Sequence, residues 1–315
     1  MQYEYLGNTG IHVSKLCFGS LTLGPLQANL AIDEGVQIIE KAVNLGVNFI
    51  DTAELYQTYS YIKKAQEKLN KNLIVATKSY SHTKKMMAAS LEKARRELNR
   101  DVIDIFLLHE QESILTVKGH YEALEYLLEA KTKGKIRAVG LSTHTIKGVE
   151  AALEFSEIEI IHPIVNYRGL GILDGNIDKM LELLQKAKKI GKGIYGMKPI
   201  GGGNLISEAT TALIWAFKRP ELDAVAVGMQ SIAEVKTNIA LLKGEIPKAQ
   251  YLASISAKKR KLHIEDYCEA CGQCVLKCSH KALKIVEGRV LVDRNNCVLC
   301  GYCGAFCPNF CIKII

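Results

Sequence analysis

Eight of the ten cysteines in this chain fall into two runs with the same spacing. Both runs follow the pattern C-x2-C-x2-C-x3-C, and 29 residues separate equivalent positions. Three closely spaced thiolates can bind three irons of one four-iron cube, so two runs supply the ligands for two [4Fe-4S] clusters. The runs are Cys268, Cys271, Cys274 and Cys278, followed by Cys297, Cys300, Cys303 and Cys307.

The fourth cysteine of such a run ligates the other cube, which crosses the two ligand sets. Zinc ribbons would separate their cysteine pairs more widely, and a disulfide framework would require an oxidising compartment. We therefore favour clusters over both alternatives. The predicted sets are Cys268, Cys271, Cys274 and Cys307 for one cube, and Cys297, Cys300, Cys303 and Cys278 for the other.

Residues 264–315 resemble a bacterial-type two-cluster ferredoxin. The segment departs from that pattern in two places: Ser279 replaces a proline, and Cys311 is an extra cysteine. We predict that Cys311 is a small buried apolar residue and not a ligand. A unit of about 50 residues buries little apolar surface, so the clusters are expected to stabilise it.

Residues 1–245 alternate eight apolar, β-branched runs with amphipathic helical stretches, which is typical of parallel βα units. We predict an α/β fold: a (β/α)8 TIM barrel over residues 1–245, a linker over 246–263, and a small α+β ferredoxin-like domain over 264–315. Residues 1–15 predict a hairpin that closes the barrel floor. The predicted barrel strands are Leu16–Ser20, Val47–Thr52, Leu73–Lys78, Ile103–His109, Ile136–Ser142, Ile160–Asn166, Gly193–Lys198 and Leu222–Gly228.

A barrel of this kind places its chemistry at the C-terminal ends of its strands. Asp51, Lys78 and His109 occupy three consecutive predicted strand ends, and Tyr56 follows the first of these. Each residue alone would be unremarkable as a helix cap, a solvated cation or a structural histidine. Their joint appearance predicts a catalytic set.

These residues carry a close resemblance to the aldo-keto reductases over about residues 1–240. The matching motifs are Asp51-Thr-Ala-x-x-Tyr56, Ala76-Thr77-Lys78, Asp104-x-x-x-Leu108-His109, Val139-Gly140-Leu141-Ser142, Pro199-x-Gly201-Gly202-Gly203 and the segment Gly228–Asn238. The resemblance implies reversible hydride transfer between NADH or NADPH and a carbonyl or alcohol substrate. A barrel with a ferredoxin-like tail is similar to a recognised subgroup of this family.

Reduction of a ketone leaves negative charge on oxygen, which a positioned acid must neutralise. Tyr56 can supply that proton, and a nearby Lys78 cation is expected to bring its phenol closer to working pH. Asp51 would hold the lysine in place. His109 would donate a hydrogen bond that orients the substrate oxygen.

The nucleotide-binding residues are predicted less directly. Backbone amides at Gly19, Ser20 and the turn Gly201–Gly203 suit a pyrophosphate, although the glycines also suit a tight βα turn. Ser142 matches a residue that binds the nicotinamide amide, and Thr143 replaces the usual asparagine. The family's next amide ligand falls on either His162 or Asn166, and Met197 stands where many members stack a tyrosine.

The segment that begins at Gly228 and ends at Asn238 is expected to approach the adenosine end. A 2′-phosphate requires charge-assisted partners, and this chain offers Gln230 and Glu234 instead of Arg or Lys. The pattern favours NADH or weak discrimination, although Lys236 lies nearby. NADH and NADPH are not resolved from the sequence.

The formal charge of +8 overstates the basicity of a cluster-loaded protein. Eight thiolates and two oxidised cores would leave roughly +4, which does not indicate a nucleic-acid partner. The run Lys258–Lys261 reads as a solvated linker or, alternatively, a docking patch for an acidic redox partner. No signal peptide or stretch of about 18 apolar residues is present, so we expect a cytoplasmic protein without a membrane partner.

Three functional classes remain open. The first is an oxidoreductase with an attached electron-transfer module. The second is a ferredoxin-type electron carrier that keeps the barrel as a scaffold, and the third is an accessory protein that senses nicotinamide. A flavin bound in the barrel would join two-electron hydride chemistry to one-electron clusters.

Overall fold

The computed structural model describes residues 1–71 and 73–315, and eight parallel strands close a barrel in it. Their order around the barrel is β10-β3-β4-β5-β6-β7-β8-β9. Each predicted strand is present, so the barrel prediction is confirmed. The strands up to β10 are β1 Tyr3–Tyr5, β2 His12–Ser14, β3 Leu16–Gly19, β4 Phe49–Asp51, β5 Ile74–Ser79, β6 Ile103–Leu108, β7 Ile136–Thr143, β8 Ile160–Pro163, β9 Gly193–Gly196 and β10 Ala224–Gly228.

Helices connect the barrel strands and bury one apolar face each. In α3, residues Met87, Leu91 and Leu98 recur at helical spacing and are buried, and Thr83 caps the helix by accepting from the backbone N–H of Met86. The helices are α1 Ile32–Asn44, α2 Tyr59–Leu69, α3 Lys84–Leu98, α4 Ile114–Gly119, α5 Tyr121–Thr132, α6 Ile146–Glu154, α7 Ile177–Lys189, α8 Ala209–Phe217, α9 Ile232–Leu242, α10 Ala249–Ser256 and α11 Gln273–Lys277.

The N-terminal hairpin closes one end of the barrel. β1 and β2 pair antiparallel. Leu6, Ile11 and Val13 are fully buried and pack in the inner cluster with strand residues such as Phe49 and Tyr195. The predicted catalytic residues lie at the opposite end of the barrel, which the hairpin does not cover.

The C-terminal part contains two short antiparallel pairs, β11 with β14 and β12 with β13. Its backbone repeats at the spacing of the cysteine runs. Left-handed φ angles occur at Ala270 and Leu299 (52° and 54°), and hydrogen bonds to cysteine sulfur also occur in pairs. The two halves therefore fold alike. The strands are β11 Leu262–Ile264, β12 Leu283–Val286, β13 Arg289–Val292 and β14 Ile312–Ile314.

The segment predicted as a linker, residues 246–263, has regular structure. It contains the helix α10, and β11 already begins at Leu262. α10 packs mainly against α9 of the barrel. Among the residues described, we find no helix with the length and apolar character needed to cross a membrane.

Candidate active site at the barrel mouth

The four predicted catalytic side chains meet at the C-terminal end of the barrel. Lys78 Nζ lies 2.8 and 2.9 Å from the two carboxylate oxygens of Asp51, and 2.7 Å from the carbonyl oxygen of Thr52. The same Nζ lies 4.8 Å from the ring centroid of Tyr56. The rings of Tyr56 and His109 are 5.8 Å apart, edge to face. This is one compact constellation.

Two further side chains contact the carboxylate of Asp51. The hydroxyl of Tyr195 donates to Asp51 Oδ1 over 3.0 Å, and His162 Nε2 lies 3.6 Å from the same oxygen. Tyr195 stacks on His162 at 3.8 Å between ring centroids. The buried carboxylate is therefore contacted by two side chains as well as paired with a cation. Tyr195 escaped the sequence analysis because it lies inside an apolar strand without a motif of its own.

The expected lowering of the Tyr56 pKa is not what the structure indicates. Burial, followed by the negative charge of Asp51, raises the pKa of Tyr56 well above its usual value. The expectation that Lys78 lowers the pKa of Tyr56 was wrong, because the Lys78 ammonium group pairs with Asp51 and lies over the tyrosine ring. Tyr56 is thus a neutral phenol at neutral pH, which is the form that can donate a proton.

His109 is also neutral. Burial, followed by the charges of Lys78 and Lys198, lowers the pKa of His109 well below its usual value. Its Nδ1 is buried, and the described part of the chain gives it no hydrogen-bond partner. The ring of Tyr80 stacks on the imidazole at 4.2 Å. A neutral imidazole held in this way can donate one hydrogen bond to a substrate oxygen.

The residues predicted to contact the nucleotide divide into two groups. Gly19 pairs with Gly228 across β3 and β10, and the hydroxyls of Ser20 and Thr58 lie 2.8 Å apart. Ser142 Oγ accepts from the backbone N–H of Glu110, immediately after the catalytic histidine. All of these lie at strand ends that face the mouth.

In the second group, Asn166 and Thr143 form hydrogen bonds with nearby backbone. The amide of Asn166 both donates to and accepts from the backbone of Leu170, whereas His162 lies beside Asp51. The geometry therefore favours His162 over Asn166 as a residue of the site. Thr143 Oγ1 accepts from the N–H of Thr145, and Met197 is largely buried.

The glycine-rich turn Gly201–Gly203 lies under the last strand of the chain. A Cβ on Gly203 would lie 2.0 Å from the carbonyl oxygen of Ile314. Asn204 Nδ2 donates to the carbonyl oxygens of Gly201 and Ile312, each over 2.9 Å. Contact with β14 is therefore enough to explain Gly203, and the pyrophosphate role of the turn stays a prediction.

We expect Gly203→Ala to lower the free energy of unfolding by more than about 3 kcal/mol, because the new Cβ would collide with backbone. Gly134→Ala is the matched control. Gly134 has a similar positive φ of 72° but nothing within 4 Å of its Cβ position, so its cost should be about 1 kcal/mol. Urea unfolding measures both. Equal losses would contradict the assigned contact between the turn and β14.

The adenosine end carries a cation that the sequence analysis did not place there. Lys258 Nζ donates to Gln230 Oε1 and lies 3.8 Å from Glu234 Oε1. Glu234 Oε2 also accepts from the backbone N–H of Gln230. The interpretation of Lys258 as part of a solvated linker was therefore wrong, because α10 folds back and brings the lysine to this site. Asn238 is buried within α9.

The cysteines of the two runs gather into two groups. Burial raises the pKa of Cys274, and the neighbouring thiols of Cys307, Cys268 and Cys271 raise it further. Cys303 has a pKa raised to about 12, again chiefly by burial. A cavity of about 390 Å³, counted to its solvent opening, is lined by Cys278, Cys297, Cys300 and Cys303. The neighbours of Cys274 are those of one predicted ligand set, whereas the charge that acts most on Cys303 is that of Cys274 from the other set, so the crossed assignment stays a prediction.

Backbone N–H groups point at two of these sulfurs. Cys278 Sγ accepts from Ala282 N over 3.4 Å, and Cys307 Sγ accepts from Cys311 N over 3.1 Å. Cys311 itself is 1% exposed. Within residues 1–71 and 73–315, no three His, Cys, Asp or Glu side chains are arranged to hold a metal ion.

A barrel with a phenol, a lysine–aspartate pair and an imidazole at its mouth has the groups needed for acid–base chemistry on a carbonyl oxygen. The chain belongs to the Aldo/keto reductase family, whose model matches residues 15–210. The cysteine runs lie beyond that match.

Known relatives agree with this assignment. The chain is 25% identical to an L-galactose dehydrogenase of Arabidopsis thaliana over 76% of this chain and 88% of that protein. It is 24% identical to a 6-dehydroglucose reductase of Novosphingobium aromaticivorans over 66% and 72%. The fold resembles the holo form of an aldo-keto reductase from Bacillus halodurans, with a TM-score of 0.66 and 23% identity over 81% and 95% of the chains. The protein is an oxidoreductase of this family.

Proposed function

We propose that this enzyme catalyses reversible hydride transfer between a nicotinamide nucleotide and a small carbonyl or alcohol substrate. The observation that carries the proposal is the buried Lys78–Asp51 pair beside Tyr56 and His109. When bound, the nicotinamide supplies or accepts the hydride. Side chains at the mouth supply the proton and orient the substrate oxygen.

Tyr56 donates a proton to the substrate oxygen as negative charge develops there. The phenolate that remains is stabilised by Lys78, whose charge Asp51 maintains. His109 donates a hydrogen bond to the same oxygen and fixes its direction. Because burial keeps the pKa of Tyr56 high, the phenol stays protonated near neutral pH, which is the form that reduction of a carbonyl requires.

The nucleotide would lie across the mouth from β7 and β8 to β10 and β3. Its nicotinamide end would contact Ser142, with His162 as a further contact, and its adenosine end would approach Gln230 and Glu234. Lys258 partly offsets the charge of Glu234. We therefore expect NADH and NADPH to bind within about tenfold of each other, a difference below about 1.4 kcal/mol.

We further propose that the C-terminal part is a ferredoxin-like domain with two [4Fe-4S] clusters. The repeated backbone, the two groups of thiols and the N–H groups aimed at sulfur support this proposal. The clusters would supply one-electron transfer to a redox partner protein, or to a flavin in the barrel. Thiolate ligation also fits a cytoplasmic location, where cysteines stay reduced. An electron carrier with an idle barrel is not favoured, because the matched relatives include named reductases.

One anaerobic preparation tests both halves of this proposal. We expect about eight irons per chain and a broad absorbance band that bleaches on reduction. Addition of an aldehyde should consume NADH or NADPH at a rate that depends on the aldehyde concentration. A colourless protein with one or two zinc ions would rule out the clusters. Failure to oxidise either nucleotide with any aldehyde would rule out the hydride transfer.

A further inference from the structure

Two lysines flank one aromatic ring where the C-terminal part meets the barrel mouth. Phe310, which precedes β14, is 3% exposed and packs into the main hydrophobic cluster of the barrel. Lys313 Nζ lies 3.3 Å from its ring centroid, and Lys198 Nζ lies 5.4 Å from it. Lys198 follows β9, so the two cations come from different parts of the chain and converge on one place.

Neither cation has a carboxylate partner among the described residues. Lys198 Nζ bonds to His144 Nε2 over 2.7 Å, and Lys313 Nζ donates to the carbonyl oxygen of Phe310. Glu265, the nearby acid that acts on both, lies 3.4 Å from His263. Burial, followed by the charge of Lys198, lowers the pKa of Lys313 to about 7. Buried cations of this kind are normally paired with an anion.

The lysines are linked to the catalytic imidazole through a short series of contacts. His144 Nδ1 lies 3.4 Å from Glu110 Oε1, and Glu110 Oε2 accepts from the hydroxyl of Tyr80 over 2.5 Å. Tyr80 is the residue that stacks on His109. Glu110 and Lys198 both have left-handed φ angles, 50° and 55°, which non-glycine residues adopt mainly where a site requires it.

We propose that Lys198 and Lys313 bind a carboxylate of the substrate, so that this enzyme acts on carbonyl compounds that carry a carboxylate. The inference rests on the proposed hydride transfer and names its substrate class. A carboxylate fits, because it would pair with two ammonium groups that have no carboxylate partner among the described residues. The carboxylate would lie against Phe310, while the carbonyl group reaches Tyr56 and His109.

The internal repeat provides a control residue. Lys284 occupies the position in β12 that corresponds to Lys313 in β14, 29 residues earlier. Lys284 is exposed, whereas Lys313 is buried against the barrel. Lys284→Met therefore removes the same charge from an equivalent strand without touching the mouth.

Terephthalaldehydic acid and its neutral methyl ester are matched probes, because they differ only at the group distant from the aldehyde, where the ester replaces the negative charge with a methyl group. We expect the wild type to prefer the acid in kcat/KM. Lys198→Met and Lys313→Met should lower the ratio of acid to ester at least tenfold, and Lys313→Arg should largely retain it. Lys284→Met should leave the ratio unchanged.

Calorimetry with benzoate and methyl benzoate on the nucleotide-loaded enzyme asks the same question without turnover. Benzoate should bind more tightly than the ester to the wild type and lose that advantage in both Met variants. Equal loss on acid and ester, or equal binding of benzoate and its ester, would overturn the proposal. So would an altered cluster potential with an unaltered acid preference, since the lysines would then serve the cluster. If neither aldehyde is reduced but benzoate binds as expected, the hydride-transfer proposal fails and the anion site stands.

Discussion

Replacing Tyr56 by Phe should lower kcat/KM for carbonyl reduction by roughly 10²–10⁴-fold, the usual contribution of a positioned general acid. The change removes only a hydroxyl, so nucleotide binding, iron content and unfolding midpoint should stay close to those of the wild type. Steady-state kinetics with one aldehyde and a nucleotide-binding titration measure the two sides of this prediction.

Tyr61→Phe is the matched control for Tyr56→Phe. The hydroxyl that Tyr61→Phe removes donates to the backbone carbonyl oxygen of Leu30 and not to a residue of the predicted catalytic set. Tyr61→Phe should lower the free energy of unfolding by about 1 kcal/mol and change activity by less than about twofold. Full activity in Tyr56→Phe would mean that the barrel does not use this phenol as its acid.

Replacing Cys307 by Ala should remove about four irons per chain, because this cysteine is predicted to complete the cube of Cys268, Cys271 and Cys274. The cube held by the second run should persist, together with its absorbance and paramagnetic signal. Iron analysis after anaerobic purification measures the iron content, and electron paramagnetic resonance shows whether the second cube persists.

Cys311→Ala is the control for this second experiment. Cys311 is as buried as a core residue, and its backbone N–H donates to Cys307 Sγ, but its own sulfur is predicted not to ligate iron. Iron content should therefore remain at about eight per chain. If Cys307→Ala instead spares the first cube and destroys the second, the crossed assignment is wrong.

The sequence predicted the barrel and the position of its mouth because both depend on local patterns. Eight apolar runs alternate with amphipathic helices, and Asp51, Lys78 and His109 each end a strand or follow one. Parallel strands place such ends on one side of a sheet, so their meeting could be expected before any coordinates. The cysteine repeat likewise has a local spacing that the paired backbone turns reflect.

Contacts between distant segments could not be predicted in this way. Lys258 belongs to a basic run that reads as solvated, yet the fold of α10 brings it to Gln230. Lys313 has the same sequence character as Lys284, and only docking of β14 buries it. The pKa of Tyr56 also depended on burial that a motif cannot reveal. Burial and contacts between distant segments arise only when the chain folds, so a local sequence pattern does not reveal them.

The close approach of Gly203 to the carbonyl oxygen of Ile314 packs the final strand against the turn that follows β9, at the barrel mouth. β14 is held on its other side by β11, at the start of the cysteine-rich part. If the proposed clusters hold this part together, an oxidant that removed their iron would loosen the strand that packs beside the mouth without attacking Tyr56, Lys78 or His109. Under that proposal, loss of metal and loss of substrate recognition would be one event.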